Sequence, residues 1–115
     1  MSIQKSSLLL ASSLLIAFGG LSTAQAAVDA DAAQKLAKKN DCFKCHAVDK
    51  SKKGPSLKKI AAKYKGKSDG QDKVVKNVTT GSKVKLDDGT EEDHKIIDTK
   101  DPAQLKNLAD WILSH

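Results

Sequence analysis

Residues 42–46 read Cys-Phe-Lys-Cys-His and hold the only two cysteines of the chain, Cys42 and Cys45. A thiol pair at this spacing can close a disulfide, work as a redox dithiol, grip a metal ion or anchor a prosthetic group. A disulfide between Cys42 and Cys45 would close a strained four-residue ring and constrain almost no loop, so it would stabilise little. A dithiol oxidoreductase of the thioredoxin kind places its CxxC beside a βαβ pattern, and no convincing strand is readable here. Zinc takes four ligands in a tetrahedron. Cys42, Cys45 and the distant His94 make three, and the neighbours Cys45 and His46 cannot easily reach one ion together.

The N-terminus bears on which chemistry is open to the pair. Met1 to Ser7 is short and polar with one cation, Lys5; Leu8 to Phe18 is almost wholly apolar; Leu21 to Ala26 is small and polar and ends Ala24-Gln25-Ala26. That layout predicts a secretory signal peptide over residues 1–26, cut before Ala27, and a periplasmic product. About eleven apolar residues cannot cross a hydrocarbon core of ~30 Å, which needs roughly 20 in a helix. No second hydrophobic run follows, so no stable membrane insertion is expected.

Cutting before Ala27 leaves residues 27–115, 89 of the 115, as one small domain. A chain of this size buries only about 60–65% of its unfolded surface and usually needs a staple or a cofactor. Its aromatics are Phe43, Tyr64 and Trp111, so a large apolar group would supply missing core.

The readable structure is helical. Asp29 or Asp31 can cap a helix running to Asn40, with Ala33, Leu36 and Ala37 on one face. Leu57, Ile60, Ala61 and Tyr64 follow Gly54-Pro55 at helical spacing, and Gly66 ends that segment. Val74, Val75 and Val78 predict a third helix between Asp72 and Gly81. Asp101 at the N-cap and Pro102 at the first helical position open a last helix, with Leu105, Leu108, Ala109 and Ile112 as its apolar stripe. Residues 81–101 have weak periodicity and read as a long loop, a feature that is usually functional in small domains. There is no internal repeat.

Covalent haem attachment accounts for every residue of the motif. Two thiols one helical turn apart can each add to one vinyl group of a porphyrin, and His46 is then held with its imidazole towards the iron. CxxCH joined to an export signal and a helical domain short of core makes one haem c the predicted cofactor.

The chain resembles the small monohaem class I cytochromes c of bacterial periplasms over nearly all of residues 27–115. CFKCHAVDK runs into KKGPSLKKIAAKY (52–64), which is similar to the family's haem motif, Gly-Pro turn and following helix. VVKNVTTGS (74–82) resembles the helix before the distal loop, and QLKNLADWILSH (104–115) the C-terminal helix. The resemblance implies an all-α class I cytochrome c fold of four to five short helices wrapped around one covalent haem, with the first and last helices crossing. It also implies that the Pro55 carbonyl accepts a hydrogen bond from His46 and so orients that ring. At Ala37 the family usually carries a larger aromatic, which implies a looser crossing here.

The larger departure concerns the iron. The family's usual distal ligand is a methionine on the loop before the last helix, and the one methionine here is Met1. His94, 17 residues before Trp111, falls within about one residue of where the resemblance places that methionine, and is the predicted distal ligand. Lys95, Lys83, Lys85, Asn77 or an open site are the alternatives; His115, the last residue, is expected to be solvated. With Met absent, paired imidazoles should leave the potential lower than His/Met ligation would.

Two functions follow from this reading. One is a monomeric periplasmic carrier of single electrons rather than an enzyme. The other is a haem protein whose open or displaceable sixth site binds a small ligand such as O2 or NO. Charge bears on the partner. Residues 27–115 carry 19 Lys, no Arg and 14 acids, a balance of +5, with eight lysines between Lys50 and Lys67 and five acids between Asp87 and Asp93. An exported chain without Arg, the preferred base-reading residue, is not expected to bind nucleic acid. The lysines of residues 50–67 instead predict docking to acidic redox proteins.

Overall fold

The computed structural model describes Gly19, Gly20 and residues 27–115; apart from those two glycines the predicted signal peptide lies outside the described residues. Four helices follow in order: α1 Ala30–Lys39, α2 Leu57–Tyr64, α3 Gly70–Thr79 and α4 Pro102–Leu113. A one-turn 3-10 helix, Cys42–Lys44, follows α1, and a hairpin of β1 Lys83–Lys85 and β2 Glu91–Asp93 separates α3 from α4.

The caps explain most of the helix boundaries. The Asp29 side chain accepts from Ala32 N and opens α1, while Asn40 closes it. Ser56 accepts from Lys59 N at the start of α2, and Asp101 accepts from Ala103 N ahead of Pro102 in α4. Gly66 carries a φ of 76° just beyond α2, the left-handed geometry that only glycine adopts cheaply. The third helix begins at Gly70, earlier than its valine spacing indicates. Glycine is needed there because a Cβ would lie 2.2 Å from the Tyr64 carbonyl oxygen.

Helix α4 is the centre of the molecule, with α1, α2 and α3 all packed against it. Ala33 and Ala37 of α1 are 1% and 2% exposed. The crossing at Ala37 is therefore closed to solvent although the side chain there is small. A polar clamp reinforces it: Asn107 accepts from Asp29 N and donates to Asp29 O, both at 2.8 Å. Leu108, 1% exposed, anchors the core, and burying such a side chain is worth about 1.5–3 kcal/mol. Phe43 meets Trp111 edge to face at 6.4 Å.

Two expectations are corrected. Residues 81–101 are not a structureless loop: Lys83 pairs with Asp93, Val84 with Glu92 and Lys85 with Glu91 in antiparallel register. His115 is not simply solvated. Its ring meets Trp111 edge to face with centroids 4.9 Å apart, and its Nε2 is buried without a hydrogen-bond partner among the described residues.

Candidate functional site

A cleft of about 790 Å³ opens between the Cys42–Pro55 segment on one side and the hairpin with the residues that follow it on the other. Cys42, Cys45, His46 and Pro55 line the first wall, and Val84, Leu86 and His94 the second. Leu57, Val74, Leu108 and Ile112 supply an apolar floor. The volume is that of a cofactor-sized site.

The first wall is built by a chain that turns sharply after α1. Asp41 takes the left-handed conformation, φ 58°, and the 3-10 turn that follows is closed by Cys45 N and His46 N, which both donate to Cys42 O. Lys52 Nζ caps the same turn by donating to Phe43 O at 2.6 Å. The loop then folds back, Gly54 N donating to Cys45 O at 2.9 Å, and this brings Pro55 to His46. His46 Nδ1 donates to the Pro55 carbonyl at 2.7 Å. A carbonyl cannot donate, so the proton sits on Nδ1 and the Nε2 lone pair is free. Burial holds this imidazole below its usual value, only partly offset by the Pro55 carbonyl, which favours the neutral form that metals bind.

Gly54 is a site residue that the motif did not reveal. A Cβ there would lie 2.7 Å from His46 Cε1 and 3.2 Å from Nδ1, so the ring occupies space that only glycine leaves. No sequence signal distinguishes this from an ordinary Gly-Pro turn.

The second wall carries His94, held by its backbone N–H to Ser82 O at 2.9 Å. Its Nδ1 donates to the Lys95 carbonyl at 2.9 Å, which again leaves Nε2 free. The His46 and His94 rings face each other with centroids 6.2 Å apart and planes inclined at 40°. The other residues considered for the distal side, Lys83, Lys85, Lys95 and Asn77, also line the cleft, whereas His115 does not. Lys83 is paired with Asp93 at 2.8 Å and Lys95 with Asp41 at 3.8 Å.

The Cys42 thiol speaks against dithiol chemistry. Burial pushes the Cys42 thiol up, whereas oxidoreductase cysteines are depressed towards the thiolate. Among the described residues no group of three or more His, Cys, Asp or Glu side chains is arranged to hold a metal ion. An apolar cleft with two thiols on one wall and a neutral imidazole beside them suits a covalently attached metalloporphyrin.

The cytochrome c family model matches residues 30–115. The chain belongs to the cytochrome c family. It is similar to a cytochrome c-552 of Nitrosomonas europaea, 39% identical over 104 residues and spanning 90% of this chain and 88% of the relative. A cytochrome c-551 of Pseudomonas denitrificans is 32% identical over 81 residues, 70% of this chain and 94% of the relative. Among solved structures, the class 1 cytochrome MtoD of Sideroxydans lithotrophicus ES-1 aligns with a TM-score of 0.73 at 58% identity, covering 76% of this chain and 97% of MtoD. The wild-type Nitrosomonas europaea cytochrome c552 aligns with a TM-score of 0.57 at 37% identity, covering 70% and 96%. The chain is thus a small class I c-type cytochrome, an electron carrier with one covalent haem c, and its four helices and short hairpin form the mostly helical fold of that class.

Proposed function

We propose that this cytochrome is a monomeric periplasmic carrier whose haem is attached through Cys42 and Cys45 and whose iron is held between His46 and His94. Residues 1–26 act as the cleaved signal peptide and 27–115 as the working domain. The observation that carries the reading is the ring separation. Two imidazoles that held one metal from opposite sides through bonds of ~2.0–2.1 Å would have centroids roughly 6.3 Å apart, against 6.2 Å for His46 and His94.

When bound, the haem supplies a one-electron iron centre, and the chain's own groups do the rest. Pro55 fixes the His46 tautomer and strengthens its basicity through Nδ1. Two nitrogen ligands in place of His/Met set a lower potential. The lysines of residues 50–67 attract acidic redox partners, and Lys53, Lys59 and Lys63 are the three of that block that line the cleft.

Absorption and EPR spectra of both redox states test the ligation. Six-coordinate low-spin iron in each state is expected, and His94→Ala should convert the ferrous form to one that binds carbon monoxide rapidly. A His94→Ala protein with wild-type spectra would remove His94 from the iron.

A second reading draws on the way His94 is held. His46 is oriented by a carbonyl nine residues away, His94 by that of its own neighbour on an exposed strand end. A sixth site that opens easily suits a haem protein binding O2 or NO. High-spin ferrous iron in the wild type would favour it over the carrier.

A further inference from the structure

We propose that Asn40 is a positioning residue for the distal side, clasping residues 94–98 onto the end of the helix that leads into the haem-attachment turn. The inference rests on the reading of His94 as distal ligand. Asn40 is a polar residue only 2% exposed, and its side chain is fully used. Nδ2 donates to Leu36 O at 2.9 Å and to Asp98 Oδ1 at 3.0 Å, while Oδ1 accepts from Asp98 N at 2.9 Å. One amide therefore grips both the backbone and the side chain of a residue 58 positions away. Two bonds to a single residue fix direction as well as distance.

The clasp sits where the distal segment needs it. Upstream of His94 the chain is held by three-residue strands whose residues are mostly exposed. The His94 ring has only the local bond to Lys95 O, so its position follows the backbone of residues 94–98. Downstream that backbone has two interior attachments, Ile97 N to Val78 O at 2.8 Å and Asp98 to Asn40. Lys39 pairs with the other Asp98 oxygen at 2.9 Å. Asn40 also immediately precedes Asp41, whose left-handed backbone starts the Cys42–Lys44 turn. The two walls of the cleft are thereby joined through one buried amide. Loss of either partner leaves polar groups of a part-buried junction unsatisfied and frees the segment that carries His94.

The holo-protein tests this through carbon monoxide binding to the reduced form, which is limited by release of the distal group. Asn40→Ala should bind carbon monoxide faster by on the order of tenfold, with faster amide exchange over residues 94–98. Should Asn40→Ala fail to fold, Asp98→Ala, a change at an exposed side chain, should show the same acceleration in smaller measure. Asn107→Ala removes the other α1 clamp and should leave the rate unchanged. An Asn40→Ala protein that melts lower yet binds carbon monoxide at the wild-type rate overturns the clasp, as does equal acceleration by Asn107→Ala. His94→Ala separates the two claims. If it accelerates binding and Asn40→Ala does not, only the clasp falls; if His94→Ala leaves the rate unchanged, the ligation reading falls with it.

Discussion

Gly54 shows how a single hydrogen atom can set the near side of the haem site. Its α-position faces the edge of the His46 ring, and a methyl group there would press to 2.7 Å from Cε1. The ring cannot retreat without stretching its 2.7 Å bond to Pro55 O. Gly54→Ala should therefore melt lower by about 1–3 kcal/mol of stability, the usual cost of overpacking, with an altered imidazole signature in the paramagnetic NMR spectrum. An unchanged melting temperature and spectrum would mean that the loop gives way freely. Asp98 is a second residue with a defined signature. Lys39 first, and then Asn40, hold its carboxyl below the ordinary value of 3.8. A carboxylate depressed in the folded state contributes stability that is present above the unfolded value and lost as pH falls through the folded one. Asp98→Asn should thus melt below the wild type at pH 7, and the gap should close as pH drops beneath 3.8. A gap that persists unchanged in strong acid would show that charge is not its source. At this scale the two thiols, His46 and His94 stand out in the sequence as candidates because their chemistry is distinctive, and the structure lines one cleft with all four. Gly54 and Asn40 do not stand out, because their contacts are close approaches to residues remote in sequence or across a turn.

The elements were legible where local signals and burial agree. Asp101-Pro102 and the Leu105–Ile112 stripe define α4 within a residue, because cap, proline and apolar period point the same way. The hairpin escaped because its strands are short and charged. Lys-Val-Lys and Glu-Glu-Asp carry little β propensity. What holds them is opposite charge across the ladder, Lys83 against Asp93 and Lys85 against Glu91, and a turn in which Asp88 accepts from Thr90 N and Gly89 takes a φ of 84°. The Asp88-Gly89 pair was the available signal, since that dipeptide marks tight reversals. Between elements, the Asn107–Asp29 clamp joins the two ends of the described fold with a paired backbone contact that no periodicity predicts. Its two bonds are solvent-exposed, so Asn107→Ala should cost roughly 1 kcal/mol and lower the melting temperature by about 4–8 °C. Calorimetry of the haem-loaded protein would decide this, and no change at all would show that water replaces both bonds without loss.

Across the whole molecule, charge of both signs meets at the same cleft. Lys53, Lys59 and Lys63 line it from the α2 side, while Asp87, Asp88, Glu91 and Glu92 are exposed on the hairpin opposite. The other five lysines of the 50–67 block do not line the cleft, and Lys58 is paired with Asp49. The electrostatic face is therefore narrower than the sequence block that suggested it. Lys83, Lys85 and Lys95 also line the cleft, but Lys83 and Lys95 are paired with Asp93 and Asp41 and the hairpin carries more acids than lysines, so a partner of negative charge would be drawn chiefly to the α2 side. Screening should remove this guidance, because the Debye length shrinks from ~30 Å at 0.01 M salt to ~3 Å at 1 M. The second-order rate of electron transfer to a redox protein of net negative charge should accordingly fall by on the order of tenfold or more over that range. Reversing Lys53 and Lys63 to Glu should slow the low-salt rate and flatten the salt dependence. Lys35→Glu, on α1 and away from the cleft, alters the net charge by half as much and should leave the slope nearly as it was. Effects in proportion to the charge change, the double variant's twice that of Lys35→Glu, would mean that overall charge, not this face, guides the encounter. A rate insensitive to salt in the wild type would remove the lysine face from the docking step altogether.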